Sequence, residues 1–337
     1  MDKLALIMAA GEGTRMLSSR PKMLHKICGV AMVEYVLRAL DPVCKEKYMI
    51  VGHGKERMME HCHGQAQFVE QKPDGWGTGH AIRSCEHVLQ GRHGQVIVTA
   101  GDMPLVLPET FARLMSEVER GAACAMLTDQ KENPVGYGRV VRENGKVAAI
   151  VEQKELVGDQ HLIKETNASV YCFDIDALLW ALPKLGTNNN AHECYLTDAI
   201  GILYQGGHEV RTVPVLEKNE GMGINDRVQL AAADREMRMR INIRHMRAGV
   251  SIIDPEATYI QPDVTIGQDT VIFPNCSIEK GSSIDANCEL RECRIVSSHI
   301  GANARLDRCV VTDAYVQPGE RLGPFAVIGQ NKPKVKI

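Results

Sequence analysis

From residue 260 onward the chain repeats itself every six residues. Aliphatic side chains fall at Ile260, Ile266, Ile272, Ile278, Ile284 and Leu290. They continue at Ile295, Ile300, Leu306, Val311, Val316, Leu322 and Ile328, with some steps of five. Such a period matches neither the 3.6 residues of a helical turn nor the 2 of a pleated strand. It suits a triangular coil, each side of which turns one aliphatic residue inward. The thirteen sides make roughly four coils, above the three-repeat minimum for a stacked core. Gly267, Asn275, Gly281, Asn287 and Gly301 fall near the expected corners, where small or turn-forming residues are needed. Cys288 and Cys293 fit as small buried residues lining or flanking the coils. A β-sandwich of short strands is the competing reading, and an unbroken run of equal steps weighs against it.

The first two thirds read differently. Short apolar runs at Leu4–Ala9, Tyr48–Gly52, Gln67–Val69, Val96–Ala100, Cys124–Leu127 and Val170–Phe173 alternate with helical stretches. One of these, Met32–Leu40, places Val33, Val36, Leu37 and Leu40 at helical spacing. Alternating strands and helices predict a mostly parallel α/β sheet covered on both faces. Ligands in such sheets bind beyond the carboxyl ends of the strands. One long helix is expected over Asn225–Arg247, capped by Asn225 or Asp226 and ended by Gly249. The expected division is 1–224 for the α/β domain, 225–250 for a linker helix, 251–330 for the coils and 331–337 for a basic tail.

A net charge of −3 over 337 residues gives no field for collecting nucleic acid or acidic membranes. A phosphate-bearing substrate must then be held by a few placed cations. The eleven cysteines are scattered, odd in number and without a CxxC pair. That pattern predicts free thiols in a reducing compartment and no structural zinc site. His61-Cys62-His63 invites a metal reading, but an i, i+2 pair points to different helix faces. No apolar run approaches about 18 residues, and the N-terminus lacks a signal peptide's cleavage region. A soluble, cytoplasmic protein is expected.

The motif richest in chemistry is Met8-Ala9-Ala10-Gly11-Glu12-Gly13-Thr14-Arg15-Met16, directly after the first strand. Gly11 and Gly13 let the backbone turn tightly and aim N–H groups at an anion. Arg15 and Lys22 behind them could neutralise a triphosphate. Met16 stands where a dinucleotide fingerprint needs its third glycine, and the P-loop pattern is absent. Asp102 follows an apolar strand and Gly101, which sets a carboxylate at the carboxyl end of the sheet.

This opening, with Pro21-Lys22-Met23-Leu24-His25-Lys26 behind it, resembles the sugar nucleotidyltransferases. It is most similar to the bacterial bifunctional N-acetylglucosamine-1-phosphate uridylyltransferase/glucosamine-1-phosphate acetyltransferases. The likeness continues in Gly77-Thr78-Gly79-His80-Ala81, Gly101-Asp102-Met103-Pro104-Leu105 and Gly136-Tyr137-Gly138-Arg139. Further matches are Arg142–Val147, Ile150–Lys154, Tyr195-Leu196-Thr197-Asp198 and Gly223-Ile224-Asn225-Asp226-Arg227. It covers nearly the whole chain, in order.

The resemblance implies a Rossmann-like nucleotidyltransferase domain with a mostly parallel sheet, a linker helix and a short left-handed parallel β-helix. It implies transfer of a uridylyl group from UTP to N-acetylglucosamine-1-phosphate, with pyrophosphate leaving and Mg²⁺ as cofactor. Arg15 and Lys22 would be the catalytic cations. Ala9, Ala10, Gly11, Gly13, Gln71, Gly77, Thr78, Gly101 and Asp102 would bind the nucleotide. Gly138, Glu152, Asn167 and Asn225 would bind the sugar phosphate, and Asp102 and Asn225 the metal. Three features depart from the common pattern: an extra residue between Gln71 and Gly77 with Trp76 for Leu, Ala100 for Tyr, and Asn167-Ala168-Ser169 for Asn-Thr-Gly. Alternatives are another sugar-1-phosphate, dTTP, a non-catalytic regulator binding sugar nucleotides, or a β-helix scaffold with a vestigial first domain. Retention of Arg15, Lys22, Asp102 and Asn225 opposes the last two. The resemblance further implies a homotrimer formed through the coils. The acetyltransferase motifs of the family lie beyond Ile337, so no acetyl transfer is expected.

Overall fold

The structure is a computed structural model and describes residues 1–73 and 75–329. The expected basic tail and residue 330 lie outside them. Contacts divide the chain into two units, one of residues 1–25 and 31–229 and one built from 26–30 and the chain after 229.

In the first unit, strands β1 (Asp2–Ala9), β2 (Glu46–Val51), β3 (Gln67–Glu70), β4 (Gly94–Ala100) and β5 (Cys124–Gln130) follow the expected apolar runs. They join β6 (Arg139–Glu143), β7 (Lys146–Val151), β8 (Glu165–Asp174) and β9 (Val210–Pro214) in one nine-stranded sheet. The order is β9-β5-β8-β4-β1-β2-β3, with β6 paired to β8 and β7. Pairs β1–β2, β1–β4, β2–β3 and β5–β9 are parallel. Strand β8 is antiparallel to both β4 and β5.

Sequence reading missed β6, β7 and β9. The first two form a hairpin whose turn residues Asn144 (φ 49°) and Gly145 (φ 79°) both take left-handed backbone. That Asn-Gly pair is the strongest short-range hairpin signal, and it went unread among charged neighbours.

Period-2 alternation along β1 buries both of its faces. Leu4, Leu6 and Met8 enter one core with Ile82, Leu178 and Leu203. Ala5, Ile7 and Ala9 enter the other with Val33, Val36, Leu40, Phe111 and Leu114. Helix α1 (Met32–Leu40) lies on this second side, as its apolar spacing predicted. Burial on both faces is why the parallel strands read as unbroken apolar runs.

A helix over Arg227–Arg247 begins in the last residues of the first unit and continues into the second. Asp226 Oδ1 accepts the Gln229 N–H at 2.8 Å, so Asp226 is the cap. Gly249 (φ 95°) follows the last turn. After it, among the described residues, fourteen strands of two or three residues form three parallel sheets of five, five and four strands. This is the left-handed β-helix. From Ile272 to Val316 every residue of the aliphatic series is buried. Isoleucine stacks on isoleucine in register, as in Ile260–Ile278–Ile295. Cys288 and Cys293 are buried as expected.

Corners are built in two ways. Asn275 (φ 64°) and Asn287 (φ 59°) turn the six-residue steps, while Glu292, Ser297, Arg308 and Asp313 take left-handed backbone at the shorter ones. Gly267 and Gly301 serve differently from expectation. Their φ is ordinary, but an added Cβ would come within 2.5 Å of Ala286 N and 2.6 Å of Pro318 N. They permit close approach of neighbouring coils. Ile295→Ala should cost about 2–5 kcal/mol, from lost burial plus a cavity between stacked side chains. Urea unfolding followed by circular dichroism measures this, and a loss under ~1 kcal/mol would contradict the stacked core.

Candidate active site

Parallel pairing gathers the candidate residues at one edge of the sheet. Met8 pairs with Ala100 and Ala9 with Val51, so the Gly11 turn and Gly101-Asp102 leave the sheet side by side. Gln71 follows β3, whose Glu70 pairs with Val51. Because β8 runs backwards, its amino-terminal end, with Asn167 opposite Thr128, reaches the same edge. Arg139 pairs there with Thr166 and with Val151, which brings Gly138 and Glu152 alongside.

The turn after β1 is held from below and left open above. Ala10 C=O accepts the His53 N–H at 3.2 Å, and Gly101 N–H donates to Met8 C=O at 2.9 Å. Gly13 (φ 65°) is a required glycine, since a Cβ there would lie 2.7 Å from Lys22 Cβ. Gly11 instead faces open space, with nothing within 4 Å of an added Cβ. Of the two glycines, only Gly13 takes left-handed backbone. The backbone N–H groups of residues 11–15 donate to no described residue. Arg15 is exposed and has no partner among the described residues. Five unpaired donors beside two cations form a concavity suited to an anion.

Lys22, Asp102 and Asn225 come together. Lys22 Nζ donates to Asp102 Oδ2 and, at 3.2 Å, to Asn225 Oδ1. Asp102 is 8 % exposed. Its backbone C=O accepts the Ile224 N–H at 3.1 Å, which fixes Asn225 beside it. A second tie went unread in the sequence. Glu220, fully buried, accepts from Leu107 N–H at 3.1 Å, Leu216 N–H at 2.7 Å and Glu217 N–H at 3.3 Å. It joins the segment after Asp102 to the segment before Asn225. Two hard oxygen donors converge on one cation, here the lysine ammonium, and that donor set suits Mg²⁺. No group of three His, Cys, Asp or Glu side chains converges among the described residues. His61 instead pairs with Glu34 at 2.7 Å.

On the nucleotide side, Gln71 Nε2 lies 3.2 Å from His80 Nδ1. Gly77 (φ 102°) passes Cys194 so closely that a Cβ would meet its carbonyl at 2.3 Å. Thr78 Oγ1 accepts the Leu196 N–H at 3.0 Å, which orients the hydroxyl while its own O–H donor remains. Trp76 is 77 % exposed.

On the sugar side, Asn167 N–H donates to Gly138 C=O at 2.9 Å. Asn167 Nδ2 donates to Tyr171 Oη at 2.6 Å, and its Oδ1 accepts the Ser169 N–H at 3.0 Å. One amide hydrogen remains. The Thr197 hydroxyl donates to Glu152 Oε1 at 3.0 Å. Burial pushes the Glu152 carboxyl above its ordinary value. The Thr197 bond opposes this, and the charges of Asp198 and Glu193 add to it.

A raised folded value means the folded chain binds that proton more tightly than the unfolded chain does. Glu152 therefore costs stability as pH rises from about 4.3 through its folded value. Glu152→Gln should be more stable than the parent at pH 7, with the gap closing toward pH 4, in thermal melts across that range. A gap independent of pH would contradict this.

Residues 5–168 match the MobA-like NTP transferase domain. The bifunctional protein GlmU of Shouchella clausii (strain KSM-K16) is 42% identical over 333 residues, covering 97% of this chain and 72% of that protein. The bifunctional protein GlmU of Clostridium beijerinckii is 40% identical, again over 97% and 72%. That of Clostridium botulinum (strain Langeland) is 39% identical over 100% of this chain and 74% of its own length. With the sheet, the turn of unpaired donors and the coils all in place, the chain belongs to the GlmU family of nucleotidyltransferases.

Proposed function

We propose that the protein transfers a uridylyl group from UTP to N-acetylglucosamine-1-phosphate, giving UDP-N-acetylglucosamine and pyrophosphate. The observation that carries this is the row of unpaired backbone donors at residues 11–15 beside Arg15, Lys22 and the Asp102–Asn225 oxygen pair. A triphosphate placed there meets N–H groups that need no reorganisation. Arg15 is free to follow the departing pyrophosphate. Lys22, now shared by Asp102 and Asn225, lies where it can turn toward a phosphate.

The attacking oxygen belongs to a sugar phosphate already ionised at neutral pH, so no general base is required. It bonds to the α-phosphorus as the bond to the β-phosphate oxygen breaks. The residues' task is alignment and charge neutralisation. Glu152 accepts from sugar hydroxyls, and the remaining Asn167 amide hydrogen suits an acyl oxygen. Asp102 and Asn225 would hold Mg²⁺, which would supply further neutralisation between the two phosphate groups.

No described helix is long and apolar enough to cross a membrane. The eleven unpaired cysteines fit work in the reducing cytoplasm. Assembly as a homotrimer through the coils belongs to the same proposal.

Asp102→Ala should lower pyrophosphate release from UTP, N-acetylglucosamine-1-phosphate and Mg²⁺ by at least ~100-fold, with an unchanged circular dichroism spectrum. A near-normal rate would remove Asp102 from the metal site. Release only with a different sugar-1-phosphate or with dTTP would overturn the substrate assignment.

A further inference from the structure

We propose that His80 is a positioning residue that fixes which way the Gln71 amide faces, so that the site accepts uracil and thymine and rejects cytosine. This rests on the reading that Gln71 meets the base edge. An amide nitrogen only donates, so with Gln71 Nε2 at 3.2 Å from His80 Nδ1 that ring nitrogen carries the lone pair. Its proton sits on Nε2. The Gln71 amide thereby keeps its oxygen and one hydrogen for a ligand. Gln71 Oε1 has no partner among the described residues, and it is not among the buried orphan atoms.

Uracil offers a donor at N3 and an acceptor at O4, which match an amide oxygen and an amide hydrogen. Cytosine offers the reverse, an acceptor at N3 and an amino donor at C4. To suit it the Gln71 amide must turn over, which brings Oε1 against the Nδ1 lone pair and forfeits the His80 bond. An unpaired polar group inside a site is where discrimination by hydrogen bonding comes from.

The backbone that carries the imidazole is anchored, and the ring is packed on one side. His80 C=O accepts the Ser84 N–H and the Ser84 hydroxyl, both at 3.2 Å. Gly75 lies over the ring so closely that a Cβ would be 2.4 Å from His80 Cδ2. The sequence marks His80 only as one letter of Gly77-Thr78-Gly79-His80-Ala81. Its partnership with Gln71 exists only in the fold.

The test compares dissociation constants for UTP, dTTP and CTP, each with Mg²⁺, by titration calorimetry on the full chain. In the parent, CTP should bind at least 10-fold more weakly than UTP. His80→Phe keeps a ring but has no acceptor, and should reduce that ratio at least 10-fold. His80→Asn returns an acceptor near the Nδ1 position and should restore most of it. The UTP to dTTP ratio should not move, because thymine presents the same edge as uracil.

Equal binding of UTP and CTP by the parent would overturn the proposal. So would a His80→Phe variant that loses affinity equally for all three. Absence of turnover with any sugar phosphate would strike the transfer reaction instead, and leave the binding ratios readable.

Discussion

Parallel register is the constraint on which the rest depends. Strand β1 pairs on one side with β2 and on the other with β4, all running the same way. Their carboxyl ends therefore open onto a single edge, where backbone donors are no longer consumed by the ladder. The turn of unpaired donors, Gln71 and Asp102 occupy that edge for this reason. The reversed strand β8 extends the site sideways. Running against β4 and β5, it delivers Asn167 to the same rim from its amino-terminal end.

The electrostatics follow from that crowding. Asp102, nearly buried, would sit uncompensated without the Lys22 ammonium, so the unliganded site holds its own charges in check. Asn225 adds an oxygen without adding charge, which leaves the cluster close to neutral. Such a cluster suits the reception of a highly charged ligand, because the lysine and the two oxygens can separate onto opposite partners. Glu220 sets the spacing: three backbone N–H groups satisfy its buried carboxylate, and the segments carrying Asp102 and Asn225 are tied together through it.

Much of this was legible in the chain. The six-residue period gave the coils, because each side must bury one aliphatic residue whatever its neighbours are. Strand β1 announced itself because both of its faces are buried. Part of what stayed hidden depends on a partner distant in sequence. Strands β6 and β9 are partly exposed, with polar residues that blur their alternation, while Ala148 and Ala149 weaken the strand signal of β7. Strand direction is not written in composition, so the reversal of β8 went unseen. Nothing in the local sequence marks Glu220, and His80 stands out only as one letter of Gly77-Thr78-Gly79-His80-Ala81. The meaning of Glu220 comes from Leu107, 113 residues away, and that of His80 from Gln71 at the end of β3. The turn glycines show the same limit. Both read as conformational, yet Gly13 is demanded by backbone geometry and Gly11 leaves room for something to approach.

The most direct test of the account is a crystal structure with UTP and Mg²⁺ bound. The triphosphate is predicted to lie against the N–H groups of residues 11–15, with the metal between Asp102 and Asn225 and Lys22 drawn onto a phosphate. Nucleotide density elsewhere on the chain, with Lys22 still bridging Asp102 and Asn225, would contradict it.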